Sequence, residues 1–151
     1  MANPHLELLK SKLDDANYQK LAAIDNERLH EFVADAVQLC EPDAVRVATD
    51  APEDMKQTRQ MALDLREEKA LTVDGHTVHF DGINDQGRDR AATKYLVPPG
   101  DTLSKALNQV GREEGLAEVR GLLKGTMKGR TMAVRFLTLG PNKSPFSISC
   151  V

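Results

Sequence analysis

Between Asn26 and Lys69 the hydrophobic pattern changes period twice, and nothing else in the chain constrains its fold as tightly. Leu29, Phe32, Val33, Ala36, Val37 and Cys40 recur on one stripe behind a capping Asn26. That spacing predicts an amphipathic helix, stopped at Pro42. Ala44-Val45-Arg46-Val47-Ala48 is a short β-branched run and reads as a strand. Asp50 and Glu53 have the spacing of a capping box for a helix through Lys69, with Met55, Ala62 and Leu65 facing inward. Strand and helix in alternation require packed layers. The predicted class is α/β in the mixed α+β sense, a mixed sheet flanked by helices.

The flanking segments fit that class. Asn3-Pro4 has the form of a helix cap with proline in the first turn, followed by Leu6, Leu9 and Leu13 at helical spacing. A second short helix is predicted from Asn17 to Ile24. Two alternating runs, Ala70–Val73 and His76–Phe80, flank Asp74-Gly75, which predicts a hairpin whose two turn residues both take positive φ. Tyr95-Leu96-Val97 reads as a strand closed by Pro98-Pro99-Gly100. Helices are predicted from Asp101 to Val110 and from Arg112 to Lys124, the latter with Leu116, Val119, Leu122 and Leu123 as its apolar face and Gly125 as its stop. Thr131–Leu139 alternates as a strand, and Phe146–Val151 reads as a second one, inside which the chain stops. The expectation is one domain over residues 1–151, belonging to a larger enzyme.

Composition excludes several functions. The 151 residues are 40% hydrophobic and 28% charged, the balance of one globular domain. Aromatics are only 4%, with no Trp, so stacking on nucleic-acid bases has few side chains to use. Residues 1–100 carry 12 basic and 19 acidic groups, residues 101–151 carry 8 and 4, and no acidic residue follows Glu118. A basic end on an acidic chain suits small anions or an acidic neighbouring domain better than DNA. Cys40 and Cys150 lie far apart and read as free thiols of a reducing cytoplasm. No apolar run approaches the ~20 residues that span a bilayer, and Met-Ala-Asn-Pro-His carries no signal-peptide pattern. The expected location is cytoplasmic, with neither membrane nor nucleic acid as partner.

Few constellations carry chemistry. Gly125-Thr126-Met127-Lys128-Gly129-Arg130-Thr131 has the look of a phosphate loop but fails in three respects. Its glycine spacing is one residue short, Arg stands where Lys belongs, and it joins helix to strand rather than strand to helix. A tight basic turn is the better reading. His76 and His79 fall on opposite faces of a strand and have no third partner, so no metal site is expected. Cys40 belongs to a core stripe, and His5 and His30 to helix surfaces. Arg88 and Arg90 stand in the glycine-containing loop Asp81–Lys94. Two guanidinium groups there can grip a carboxylate or phosphate, or Asp85 and Asp89 can neutralise them.

Read together, several segments resemble the N-terminal domain of GTP-dependent phosphoenolpyruvate carboxykinase, in particular its archaeal branch. They are Leu39-Cys40 with Glu41-Pro42-Asp43, Gly75–Gly82, Asp85-Gln86-Gly87-Arg88-Asp89, Met127–Met132, and Leu139-Gly140-Pro141 with Ser144-Pro145. The resemblance implies a family that converts oxaloacetate and GTP to phosphoenolpyruvate, CO2 and GDP in gluconeogenesis, a lyase and decarboxylase using manganese. It implies a mixed α/β N-terminal domain, with the active site in the cleft it forms with a C-terminal nucleotide-binding domain. Asp85-Gln86-Gly87-Arg88 matches the family's substrate-gripping Asp-x-Ala-Arg stretch, with Gly for Ala. Arg88 is thus the implied ligand of the oxaloacetate or phosphoenolpyruvate carboxylate. A second register, aligning Thr93-Lys94 with the family's Ser-Lys, selects Arg90 instead. The family's manganese ligands, its phosphate loop and its lid have no counterpart here. No catalytic, nucleotide-binding or metal-binding residue, and no bound manganese or GTP, is expected of this chain by itself.

Two functions follow: an N-terminal portion of such a carboxykinase, inactive alone, or a stand-alone anion-binding or regulatory module that kept the fold.

Overall fold

Local capping chemistry sets the first and third helices where the sequence places them. It starts and ends the second two residues before the predicted Asn17–Ile24, because Asp14 is its cap. The structure, a computed structural model, describes residues 3–82, 92–141 and 143–151. In α1 (Pro4–Leu9) the Asn3 side chain accepts from the His5 amide, and proline fills the first turn. Asp14 caps α2 (Asp15–Ala22) by accepting from Asn17 N, and Asn26 caps α3 (Glu27–Cys40) by accepting from Leu29 N. α3 ends on Glu41 in the left-handed conformation (φ 55°), ahead of Pro42.

The chain divides into two compact units, Met1–Arg59 with Lys124–Val151, and Gln60–Leu123. In the first, β1 (Ala44–Ala48) pairs in parallel with β6 (Thr131–Arg135), from Ala44 opposite Thr131 to Ala48 opposite Arg135. The other edge of β1 is also satisfied. Val45 N donates to the Lys12 carbonyl at 2.8 Å and Val47 N to Asn17 Oδ1 at 2.7 Å. Val45, Val47 and Val134 then meet Leu6, Leu9, Leu13 and Leu21 and the inner stripe of α3 in one core. Leu9, Leu21 and Val47 are fully buried, each contributing about 1.5–3 kcal/mol by burial.

α4 (Pro52–Asp64) runs from the first unit into the second. It is shorter than the predicted helix to Lys69. Arg66 takes φ 60° and closes a Schellman turn, with Glu67 N donating to the Ala62 carbonyl and Arg66 N to that of Leu63. No glycine marks this stop, which is why the sequence hides it. Its start differs too. Asp54, not Asp50 with Glu53, accepts from the Thr49 amide and hydroxyl. Met55 and Leu65, predicted to face inward, are exposed, as is Phe32 of α3.

The second unit holds β2 (Lys69–Ala70) antiparallel to β3 (Thr77–Val78), and β4 (Tyr95–Val97) parallel to β5 (Gln109–Gly111), with α5 (Arg112–Leu123) on β4 and β5. The Asp74-Gly75 turn is present, with His76 N donating to the Val73 carbonyl. Only Gly75 has positive φ (73°), so one glycine suffices where two left-handed residues were predicted. The predicted helix Asp101–Val110 is absent. Asp101 and Leu107 close turns onto the Pro98 and Ser104 carbonyls, and Gln109 Oε1 accepts from Leu103 N. Pairing with β4 claims Gln109–Gly111 and overrides local helix propensity. Gly115 lets α5 settle here, since a Cβ would lie 2.2 Å from Leu96 Cδ2.

Back in the first unit, the predicted strand Thr131–Leu139 breaks at Phe136. That ring packs on the core, and β7 (Leu137–Leu139) leaves to pair antiparallel with β8 (Ile148–Cys150). Helices and small sheets make the class mixed α+β as predicted, but among the described residues the strands form four separate two-stranded ladders, two parallel and two antiparallel, rather than one mixed sheet. No helix among those residues is long and apolar enough to cross a membrane.

Candidate functional site

Arg88 and Arg90 lie outside the described residues, as do Asp85 and Asp89. The structure describes the residues on either side of the segment that carries them. At its start His79 follows β3, with Nδ1 donating to the Glu67 carbonyl at 2.5 Å and Nε2 to Asp81 Oδ1 at 3.0 Å. Both ring nitrogens face acceptors, so the Glu67 carbonyl, and after it Asp81, raise the His79 pKa from its ordinary value. His79 is thereby tied into the chain on both sides of the hairpin rather than turned toward His76. At the far end Lys94 pairs with Glu118 of α5 at 3.3 Å, both partly exposed.

The basic turn after α5 is built by a different logic. A helix leaves its last carbonyls without partners. Those of Leu39 and Cys40 at the end of α3 accept from Gly125 N and Met127 N, each at 2.9 Å. Gly129 N donates to Asp43 Oδ1 at 3.0 Å, Asp43 N to the Arg130 carbonyl at 3.0 Å, and Lys128 pairs with Glu41 at 2.9 Å. Lys128 N and Arg130 N close onto the Gly125 and Met127 carbonyls. Gly125 (φ 68°) and Gly129 (φ 74°) supply the left-handed bends. These amides are committed to protein oxygens, so they do not form a phosphate cradle. Glu41-Pro42-Asp43 and Met127–Arg130, separate in sequence, form one joint.

The remaining singled-out residues have structural places. Cys40 is buried, and Cys150 is exposed and unpaired. His5 is half-buried. His30 was assigned to helix surface, yet it is buried. Its Nδ1 accepts from Asn3 Nδ2 at 2.9 Å and its Nε2 donates to the Leu21 carbonyl at 3.1 Å. Asn3 Oδ1 is occupied as the cap of α1, which fixes the amide's orientation and with it the imidazole tautomer. A histidine joining α1, α2 and α3 has no signature in a linear pattern. Among the described residues no group of three or more His, Cys, Asp or Glu is placed to hold a metal ion.

Comparison with known proteins joins these pieces. The family model described as phosphoenolpyruvate carboxykinase N-terminal domain matches residues 31–151. The chain is 49% identical over 146 residues to the phosphoenolpyruvate carboxykinase [GTP] of Pyrococcus abyssi, covering 97% of this chain and 24% of that protein. It is 46% identical to that of Pyrococcus horikoshii, covering 97% and 23%. The figure for Saccharolobus solfataricus is 43% over 150 residues, covering 95% and 24%. The chain thus spans about a quarter of the length of these curated relatives.

Proposed function

The chain belongs to the phosphoenolpyruvate carboxykinase N-terminal domain family, and from that premise we propose that it is the substrate-side part of a GTP-dependent phosphoenolpyruvate carboxykinase. The observation that carries this reading is the 49% identity over 97% of the chain. In the reaction oxaloacetate loses CO2, and the enolate left behind takes the γ-phosphoryl group of GTP, giving phosphoenolpyruvate and GDP. Such a transfer depends on positioning and charge neutralisation. Arg88 supplies both by gripping a substrate carboxylate through paired N–H donors, with Arg90 as the second candidate. His79 with Asp81 and Lys94 with Glu118 anchor the two ends of the segment between them.

For manganese, which the family uses with GTP, no group of three or more His, Cys, Asp or Glu is placed as a ligand set among the described residues. The amides of the basic turn face protein oxygens; this reading gives the chain a substrate-side role and assigns nucleotide and metal to the C-terminal domain of the complete enzyme. The compartment fitting two unpaired cysteines is the cytoplasm.

The test has two arms. In isothermal titration with oxaloacetate, Arg88→Ala weakens binding by about 1.5–3 kcal/mol, the cost of a charged hydrogen bond, and Arg90→Ala does not. Unchanged affinity for Arg88→Ala refutes that assignment. The isolated chain forms no phosphoenolpyruvate from oxaloacetate and GTP, whereas a chimaera replacing the matched segment of the Pyrococcus abyssi enzyme with this chain does. Turnover by the isolated chain above a buffer blank overturns the division of labour.

A further inference from the structure

The β7–β8 ladder places Leu137 opposite Cys150 and Leu139 opposite Ile148. Period-two alternation gathers these four side chains on one face and leaves Thr138 and Ser149 on the other. Leu137 is 60% exposed, Leu139 66%, Ile148 59%, and Phe146, just before β8, 86%. None of them belongs to the core cluster. Two strands of three residues do not hold together in water unaided; they need a third strand or a covered face. An apolar face with open edges is a surface built for cover.

Charge selects what covers it. Arg135 precedes the hairpin, Lys143 lies in its connection, and no acidic residue follows Glu118. A second copy laid against this face brings the same cations against each other, which opposes self-association. A partner with an apolar strip and acidic flanks meets both demands. The relatives contain about three times as much further polypeptide as the quarter matched here. We propose that the Leu137-Leu139-Ile148 face, with Arg135 just before the hairpin and Lys143 in its connection, seats an acid-flanked apolar segment of the carboxykinase polypeptide outside that quarter. This rests on the family reading above and adds the surface through which the substrate side joins the rest of the enzyme.

Hydrogen exchange tests it. In the chimaera with the Pyrococcus abyssi enzyme, peptides covering 137–139 and 148–150 exchange at least tenfold more slowly than in the isolated chain, while those covering β1 and β6 exchange alike in both. Leu139→Lys with Ile148→Lys removes that protection. Both positions are exposed, so the isolated double variant keeps the wild-type circular dichroism. Equal hairpin exchange in chimaera and isolated chain overturns the proposal. So does sedimentation equilibrium showing the isolated chain as a dimer that the double substitution returns to monomer, which makes a second copy the occupant. Should the chimaera not fold, the tagged chain is co-expressed with the rest of that enzyme as a separate polypeptide. Co-purification abolished by the double substitution supports the proposal, and none for the wild type overturns it. The oxaloacetate titrations read the substrate role independently, so either result can fail while the other stands.

Discussion

Removing the Asp54 carboxylate should cost the first unit more than any other single polar change. Asp54 is 4% exposed and opens α4. It accepts from Lys20 Nζ at 2.6 Å, Thr49 N at 2.9 Å and Thr49 Oγ1 at 2.7 Å. The Lys20 ammonium, then the Thr49 hydroxyl and amide, hold its carboxyl far below the usual carboxylate range. Breaking a buried ion pair costs about 3–5 kcal/mol. The Lys20 side chain is 31% exposed and recovers some hydration, so Asp54→Ala is expected at the lower end, about 3 kcal/mol. Urea unfolding at pH 7, followed by circular dichroism, measures it. The sign with pH follows from the depressed folded value. The stabilisation is complete above the unfolded carboxylate pKa of about 3.9 and is lost as pH falls through the acid range toward the folded value. The gap between wild type and Asp54→Ala should therefore shrink between pH 5 and the most acidic conditions in which the chain still folds. A loss below about 0.5 kcal/mol at pH 7, the ordinary scale of a surface change, or a gap that does not narrow in acid, refutes the argument.

Three further outcomes are expected. Gly129→Ala forces a side chain into φ 74° with no compensating contact and should destabilise by about 1–2 kcal/mol, whereas Gly121→Ala, in open space within α5, should stabilise by up to about 1 kcal/mol; the pair is compared by urea midpoint. His30→Ala strips the Leu21 carbonyl and the Asn3 amide of a partner and should cost about 2–3 kcal/mol, read by thermal unfolding, with His30→Gln recovering part of it. His79 should titrate above 6.5 by NMR. Because its folded pKa is raised, its support of the β2–β3 hairpin is complete below 6.5 and fades as pH rises through the raised value, a dependence that His79→Gln removes from hairpin hydrogen exchange.

What could be read from the sequence was local or borrowed from kinship. Asn3, Asn26 and Gly125 announce their caps and stops because the physics lies within four residues of each. The helix expected over residues 101–110 does not form because the decisive partner of Gln109–Gly111 is Tyr95–Val97, and pairing across that distance leaves no trace in a helical pattern. The end of α4 was misread because Arg66 takes the conformation that sequence rules reserve for glycine. At the candidate site, the reading of Arg88 rests on its resemblance to a family motif alone, since the residue lies outside the described ones. The joint between Asp43 and Gly129 was not legible at all, although both lie in quoted family blocks, since 86 positions separate them.

That separation has a consequence for synthesis. Among the described residues, β1 has no strand partner but β6, and the last carbonyls of α3 wait for Gly125 and Met127. A ribosome adding about 5–20 residues per second needs several seconds to pass from Ala48 to Thr131. Through that interval the nascent helices must shelter Val45 and Val47 unaided, so chaperone contact on the emerging polypeptide should concentrate there and cease once Arg135 clears the exit tunnel.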